Sequence, residues 1–154
     1  MKPIVTYEIQ QVGLYLKDKI EVYNRPTLDT PKAVFDLFNQ IDSFSRTVDY
    51  KETAYAIYLN AKMKVLSVCL IAEGSDSNVM IPPKQVLQGA ILQNATSVIL
   101  VHNHPSQNTA PSENDIAATK RMYQCLKLFD MELSDHVIIT SNSYLSMAEE
   151  NLIH

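Results

Sequence analysis

Residues 97–101 (SVILV) form a short, almost wholly apolar run without the alternation of a strand that has one face in water. Such a run is typical of a central strand whose two faces are both buried. Other elements must therefore cover both sides of the sheet that contains this strand, and the rest of the chain has to supply them.

Three segments have the patterns of helices that suit this role. Residues 30–41 begin with a capping residue, Thr30, and a proline at the first helical position, and their apolar side chains recur on one face. Residues 84–94 follow two prolines and have a broad apolar face. Residues 112–129 open with Ser-x-x-Asp, a capping-box pattern, and repeat apolar residues at helical spacing.

Further strands are predicted on both sides of the central run. Residues 53–59 and 65–72 are rich in β-forming residues and flank the turn-like sequence Asn-Ala-Lys at 60–62, which predicts a hairpin. Residues 136–140 predict a strand, and residues 144–147 a final strand or turn. Helices that alternate with strands, together with the hairpin, predict a single three-layer α/β domain whose mixed sheet is flanked by helices.

The N-terminal region is expected to extend this sheet. Residues 1–24 contain short β-prone runs, so we expect residues 1–29 to contribute N-terminal strands and residues 30–154 to form the domain. An exposed strand there can pair with a second copy of the chain, so a homo-oligomer is one expectation. The N-terminus is polar where a signal peptide is apolar, and no run approaches a membrane span, so we expect a cytoplasmic protein without membrane contact.

The overall charge argues against nucleic acid as a direct partner. The net charge is −4 and the isoelectric point is about 5.5. A protein of this charge repels a phosphate backbone over most of its surface. Direct DNA binding by this chain alone is therefore disfavoured.

Three residues that can bind a metal follow the central strand. His102 and His104 stand two apart where the strand ends, so a period of two places both imidazoles on the same side. Pro105 keeps His104 in extended geometry. Asp115 comes at about the third position of the next helix, where backbone N–H groups and the helix dipole favour a carboxylate.

Two histidines and one carboxylate form the open ligand set of catalytic zinc sites, in which a fourth position is left for water. Each part has an ordinary alternative, since His-Asn-His can be a surface turn and Ser-x-x-Asp is a common capping box. A polar His-Asn-His directly after a buried strand, followed at short distance by Ser-x-x-Asp, is much more informative than either alone. The combination predicts one zinc ion per chain, bound by His102, His104 and Asp115.

The same residues resemble the signature of a known family. His-x-His-Pro, six residues and Ser-x-x-Asp is similar to the JAMM (MPN-plus) metalloprotease motif. The wider text HNHPSQNTAPSENDIAATKRM, with PPKQV and AILQNA before it and DHVII after it, resembles the RadC-like branch of that family over residues 30–154. The resemblance implies a JAB/MPN domain of cytidine-deaminase-like architecture and a zinc hydrolase.

The chain departs from the RadC-like pattern in two places. That pattern has HNHPSG, whereas Gln107 stands here in place of the glycine, at a loop position that can require a positive φ. The helix-hairpin-helix region of full-length RadC proteins is not found in this sequence, so we expect a form similar to the stand-alone versions on mobile elements and prophages. A DNA-binding role linked to that region is not carried over.

The resemblance also implies two catalytic residues. Glu52 precedes TAYAIYLN as the family glutamate precedes its first core strand, and would act as general base and then as proton donor to the leaving amine. Ser112 would donate its hydroxyl to the oxyanion, although it also has the position of a helix N-cap. From the residues alone, Glu52 is simply a charged residue at a strand start, and Glu73 is a competing carboxylate that we interpret as a solvated turn residue.

His136 and Asn103 complete the set of polar residues near this region of the sequence. We interpret His136 as a structural strand histidine rather than as a hydrogen-bonding partner near the metal. Asn103 lies between the two histidines and points to the other side of the strand, so it is also interpreted as structural.

Three functions follow, in order of preference. The first is a zinc-dependent JAMM-type hydrolase that acts on an amide, peptide or isopeptide bond of a peptide or protein substrate, in a bacterial or phage setting. The second is a non-catalytic metal-binding interaction module in DNA repair, recombination or mobile-element biology. Phosphodiester hydrolysis ranks last because such sites often use two metals and more carboxylates.

Overall fold

The computed structural model describes residues 25–45, 48–74 and 80–154. In this part of the chain five strands form one sheet, with helices before and between them. The elements in chain order are α1 (Pro31–Phe38), α2 (Asp42–Ser45), β1 (Thr53–Leu59), β2 (Val65–Glu73), α3 (Pro83–Leu92), β3 (Ser97–Asn103), α4 (Glu113–Lys127), β4 (Glu132–Ile139) and β5 (Tyr144–Ser146).

The sheet is mixed, with the strand order β2-β1-β3-β4-β5. β3 and β4 are parallel because α4 crosses over between them, and the other neighbours are antiparallel. The amino end of β1 therefore lies beside the carboxyl end of β3, where Ala54 pairs with His102. The predicted single-domain α/β fold with a mixed sheet is confirmed.

Alternate side chains of the strands enter two separate cores, one on each face of the sheet. On one face Ile57, Ile99 and Val101 pack with α1. On the other face Ala56 and Leu100 pack with α3 and α4. Every residue of β3 is buried, so the central position expected for residues 97–101 is confirmed.

The predicted elements are present, but several of their ends differ. The first helix ends at Phe38 rather than at residue 41, and the polar segment after it contains the short helix α2, whose Phe44 is buried in the first core. β3 continues two residues beyond 101, and β4 begins at Glu132 rather than at 136. Strand pairing with neighbours extends both strands past their apolar runs.

Helix α3 approaches β1 closely through a glycine. The Tyr58 hydroxyl donates a hydrogen bond to the Val86 carbonyl at 3.1 Å, and a Cβ at Gly89 would lie 2.2 Å from the same hydroxyl oxygen. A side chain at this position would require the Tyr58 ring or the helix to move. Gly89 thereby allows the Tyr58 hydroxyl to reach the helix.

The expected N-terminal strands lie mostly outside the described residues, since residues 1–24 are not among them. Of the described part, Thr27 forms an antiparallel bridge with Lys64, just before β2. No helix in the described ranges is long and apolar enough to span a membrane.

Candidate metal centre

The two histidines after the central strand come together as their spacing predicts. His102 is the sixth residue of β3 and is buried, and His104 follows the strand with its backbone N–H bonded to the Ile139 carbonyl at 3.0 Å. The two imidazoles face each other, with 2.9 Å between their Nε2 atoms. The strand and its bond to β4 therefore hold both rings at the carboxyl end of β3.

Helix α4 brings a carboxylate to the same place. Asp115 is the third residue of the helix and Ser112 is its N-cap, so the predicted capping box is confirmed. Oδ1 of Asp115 lies 3.3 Å from His102 Nε2, and Oδ2 lies 3.4 Å from His104 Nε2. The Ser112 hydroxyl and backbone N–H both donate to Asp115 Oδ2 at 2.7 Å, which fixes the direction of the carboxylate.

Glu52 joins the group from the neighbouring strand. It immediately precedes β1, whose amino end lies beside the end of β3, and only 5% of it is exposed. One ligand atom from each of Glu52, His102 and His104 lies within 4.8 Å of the others. The competing carboxylate, Glu73, is instead partly exposed and pairs with Lys51 at 2.7 Å.

Asn103 holds the segment that carries Glu52. It points to the opposite side of β3 from the histidines and is completely buried. Its amide nitrogen donates to the carbonyls of Val48 and Lys51 at 2.8 Å, and its oxygen accepts from the backbone and hydroxyl of Thr53 at the same distance. Asn103 is structural, as interpreted, and its bonds on both sides of Glu52 tie that residue to the strand of the histidines.

The donor set fits a metal cation. His104 Nδ1 lies 2.7 Å from the Asn108 carbonyl, which only accepts, so Nδ1 carries the hydrogen and Nε2 of a neutral ring is bare. This bare nitrogen faces His102 Nε2, and the carboxylates nearby are acceptors only. These facing lone pairs repel one another unless a proton or a metal ion lies between them. Imidazole and carboxylate together form a ligand set that divalent metals favour.

The pKa values show how strongly this cluster attracts positive charge. The hydrogen bond to Asp115 is the main reason why the pKa of His104 is raised above its ordinary value. Burial alone would raise the pKa of Asp115, but the hydrogen bonds with His102 and His104 outweigh it and hold that pKa well below its usual range. The carboxylate therefore stays ionised and can balance the charge of a bound cation.

His136 lies in contact with the cluster. Its interpretation from the sequence as a structural residue missed a direct hydrogen bond to His102. Its Nε2 lies 2.7 Å from His102 Nδ1, and the residue is fully buried. Burial is the main reason why the pKa of His136 is well below its ordinary value, so the ring is neutral. The sequence signal was present, since a histidine on the strand after the crossover helix lies next to the strand that carries His102.

The loop between β3 and α4 contains the residue that replaces the family glycine. Gln107 has a φ of 65°, so the expected positive φ is confirmed. Its side chain donates to Asp49 Oδ1 at 2.9 Å and accepts from the Ser141 backbone and hydroxyl at 3.1 and 2.7 Å. The side chain thereby links this loop to two neighbouring loops.

Comparison with known families gives the site a context. The family model described as the RadC-like JAB domain matches residues 28–152. The chain belongs to this family.

Its relatives include UPF0758 proteins from bacteria and an archaeon. The chain is 39% identical over 127 residues to one from Clostridium acetobutylicum, covering 82% of this chain and 53% of the relative. It is 38% identical over 122 residues to one from Finegoldia magna, covering 79% and 52%, and 32% identical over 138 residues to one from Methanococcoides burtonii, covering 90% and 60%. The chain thus spans about half the length of the curated relatives it matches.

Proposed function

We propose that this RadC-like domain is a zinc-dependent hydrolase of the JAMM type that cleaves an amide, peptide or isopeptide bond. One observation carries the proposal. His102, His104 and Asp115 meet Glu52, which lies 50 residues before His102 in the chain, at the carboxyl end of one central strand. This is where α/β sheets place their active sites.

The zinc ion would be held by the two histidines and Asp115. The bare Nε2 of His104, the facing Nε2 of His102 and the ionised carboxylate supply nitrogen and oxygen ligands of the kind found in catalytic zinc sites. When bound, zinc would supply a Lewis acid that makes a carbonyl group and a water molecule more reactive.

Glu52 would move the proton. A carboxylate oxygen of Glu52 lies within 4.8 Å of the histidine nitrogens, whereas the Asp115 carboxylate accepts a hydrogen bond from Ser112. In the proposed reaction Glu52 takes a proton from the attacking water, holds it on the carboxylate and transfers it to the nitrogen of the leaving amine. Because the segment around Glu52 is bonded to Asn103, the carboxylate keeps its place during this cycle.

Ser112 is proposed to hydrogen-bond to the developing oxyanion. In the structure its hydroxyl donates to Asp115 Oδ2 and accepts from the Asp115 backbone N–H at 3.1 Å. The proposed role requires the hydroxyl to rotate from the carboxylate toward the substrate in the transition state. Ser112→Ala should then lower the kcat of the zinc-saturated protein by roughly 100–1000-fold. Loss of its bonds to Asp115 alone would lower the stability and the zinc affinity but leave the kcat of the zinc-saturated protein unchanged.

The roles of the two carboxylates are distinguished by a matched pair of variants. Glu52→Gln should bind zinc as tightly as the parent but lose turnover, because only its proton-transfer role is removed. Asp115→Asn should lower the zinc affinity by at least about 10-fold, because a charged ligand is lost. Zinc affinity is measured by competition with a chromophoric chelator, and turnover on a library of fluorogenic peptides and isopeptides.

Three outcomes separate the candidate functions. Turnover by the zinc-loaded parent that Glu52→Gln abolishes supports the hydrolase. If the parent binds one zinc per chain but shows no more turnover than Glu52→Gln, the hydrolase proposal is wrong and the non-catalytic metal-binding module is favoured. A parent that binds no zinc in chelator-free buffer would remove both.

A further inference from the structure

A buried line of hydrogen bonds connects two of the proposed ligands behind the site. His102 Nδ1 lies 2.7 Å from His136 Nε2, and His136 Nδ1 lies 2.6 Å from the Thr119 hydroxyl oxygen. That hydroxyl also lies 2.6 Å from the backbone carbonyl of Asp115. The line therefore runs from β3 through β4 to α4, and neither His136 nor Thr119 is exposed to solvent.

The position of each hydrogen follows from the acceptor at the end of the line. A carbonyl oxygen cannot donate, so the contact between the Thr119 hydroxyl and the Asp115 carbonyl requires the hydroxyl hydrogen to lie between them. A hydroxyl has a single hydrogen, so Thr119 can only accept from His136. His136 must then carry its hydrogen on Nδ1.

The same reasoning continues to the ligand. His136 is fully buried, and its two ring nitrogens contact a hydroxyl and an imidazole rather than a carboxylate, so its environment favours the neutral ring. A neutral ring has one N–H, so Nε2 of His136 is bare and accepts. The hydrogen in the bond between the two histidines is therefore on Nδ1 of His102. When neutral, His102 directs a bare Nε2 toward His104 and Asp115.

We propose that Thr119 and His136 are positioning residues that fix His102 as the Nδ1–H tautomer, with Nε2 presented to a metal ion. His104 is fixed in the same sense by the Asn108 carbonyl, so both rings face the cluster with the nitrogen that can coordinate. The role as a metal ligand rests on the proposed function, whereas the tautomer itself does not.

A purely structural role would have different consequences. Thr119 and His136 fill space between α4 and the sheet, and any substitution that leaves a hole would weaken the fold. The hydrogen bonds of the Thr119 hydroxyl can be removed without leaving a hole, because valine has nearly the shape of threonine but no hydroxyl. Serine keeps the hydroxyl and loses a methyl group, so the two variants separate packing from hydrogen bonding.

The first test reads the tautomer directly in the 154-residue protein with chelator present. Nitrogen NMR of histidine-labelled protein should show His136 protonated on Nδ1 and a through-hydrogen-bond coupling from His102 Nδ1 to His136 Nε2. Thr119→Ser should preserve both signals, and Thr119→Val should weaken or split them. Protonation of His136 on Nε2 in the parent would overturn the proposal whether or not the protein binds zinc.

The second test measures zinc affinity by chelator competition. Thr119→Val should lower the affinity by about 10-fold and His136→Leu by about 10–100-fold, while Thr119→Ser stays within about twofold of the parent. A Thr119→Val or His136→Leu variant that is folded by circular dichroism and binds zinc as the parent does would overturn the proposal. If the parent itself binds no zinc, the proposed function fails, and the NMR result still decides the tautomer.

Discussion

Asn103 shows how one side chain can hold the backbone on both sides of another residue. It lies between the two histidines in sequence, yet its four hydrogen bonds all go to residues 48–53 on the other side of β3. These bonds hold the backbone on both sides of Glu52. The alternation of side chains along one strand thus serves two purposes, with the histidines on one side and the support of the glutamate on the other.

Replacing Asn103 by leucine should be strongly destabilising. Leucine has a similar shape but cannot hydrogen-bond, so the Thr53 N–H and the Val48 and Lys51 carbonyls lose a buried partner. At about 1–3 kcal/mol for each buried group left without a partner, we expect the free energy of unfolding to fall by about 3–5 kcal/mol. Urea unfolding with chelator present measures the loss.

Thr53→Val is the matched control for this prediction. It removes only the hydroxyl bond to Asn103 and leaves the backbone bond in place. The expected loss is about 1 kcal/mol. Similar small losses in the two variants would contradict the proposed contribution of the Asn103 hydrogen bonds to stability.

The proposed ligands and their partners differ in how far the sequence determines their positions. His102, His104 and Asp115 could be predicted because a strand period of two and the N3 position of a helix are local rules. The bond between His102 and His136 depends on the register of β3 against β4, in which Leu100 pairs with His136. Packing across the whole sheet sets that register, so it cannot be predicted from a local sequence pattern.

At the scale of elements, the loop between β3 and α4 carries a residue under backbone strain. Gln107 adopts a φ of 65°, a backbone conformation that is costly for a residue with a side chain but not for glycine. Its three side-chain bonds to the loops at Asp49 and Ser141 compensate for this cost. The loop matters for the site because its Asn108 carbonyl orients His104.

Two substitutions separate the strain from the bonds. Gln107→Gly and Gln107→Ala both lose the side-chain bonds, but only alanine keeps a Cβ in the left-handed region. We therefore expect the glycine variant to be more stable than the alanine variant by about 1 kcal/mol. Thermal and urea unfolding of the two proteins measure the difference, and an alanine variant as stable as the glycine one would show that the loop relaxes to a negative φ.

The elements themselves were predicted best where their patterns are long and regular. The hairpin strand β1 has the predicted bounds because its apolar run ends at a turn. The short helix α2 was missed, since a polar segment of four residues has no helical period and is held by the burial of Phe44. The end of β3 was predicted too early and the start of β4 too late, because strand pairing continues past the apolar residues.

At the scale of the molecule, the site exists only in the complete fold. The residues that meet there lie before β1, at the end of β3 and at the start of α4, and the sheet order places β1 beside β3. An unfolded chain would not hold these groups together, so zinc should bind the folded state far more tightly than the unfolded one. Metal binding and global stability are therefore linked.

This linkage predicts a rise in melting temperature with zinc. A ligand at 100 times its dissociation constant stabilises the folded state by about 2.7 kcal/mol. For a chain of this length that corresponds to a shift of roughly 5–10 °C, measured by calorimetry against the same protein in chelator. The double variant His102→Ala/His104→Ala should fold but show no shift, because the nitrogen ligands are lost while both cores remain. An equal shift in the parent and the double variant would place the zinc elsewhere on the protein.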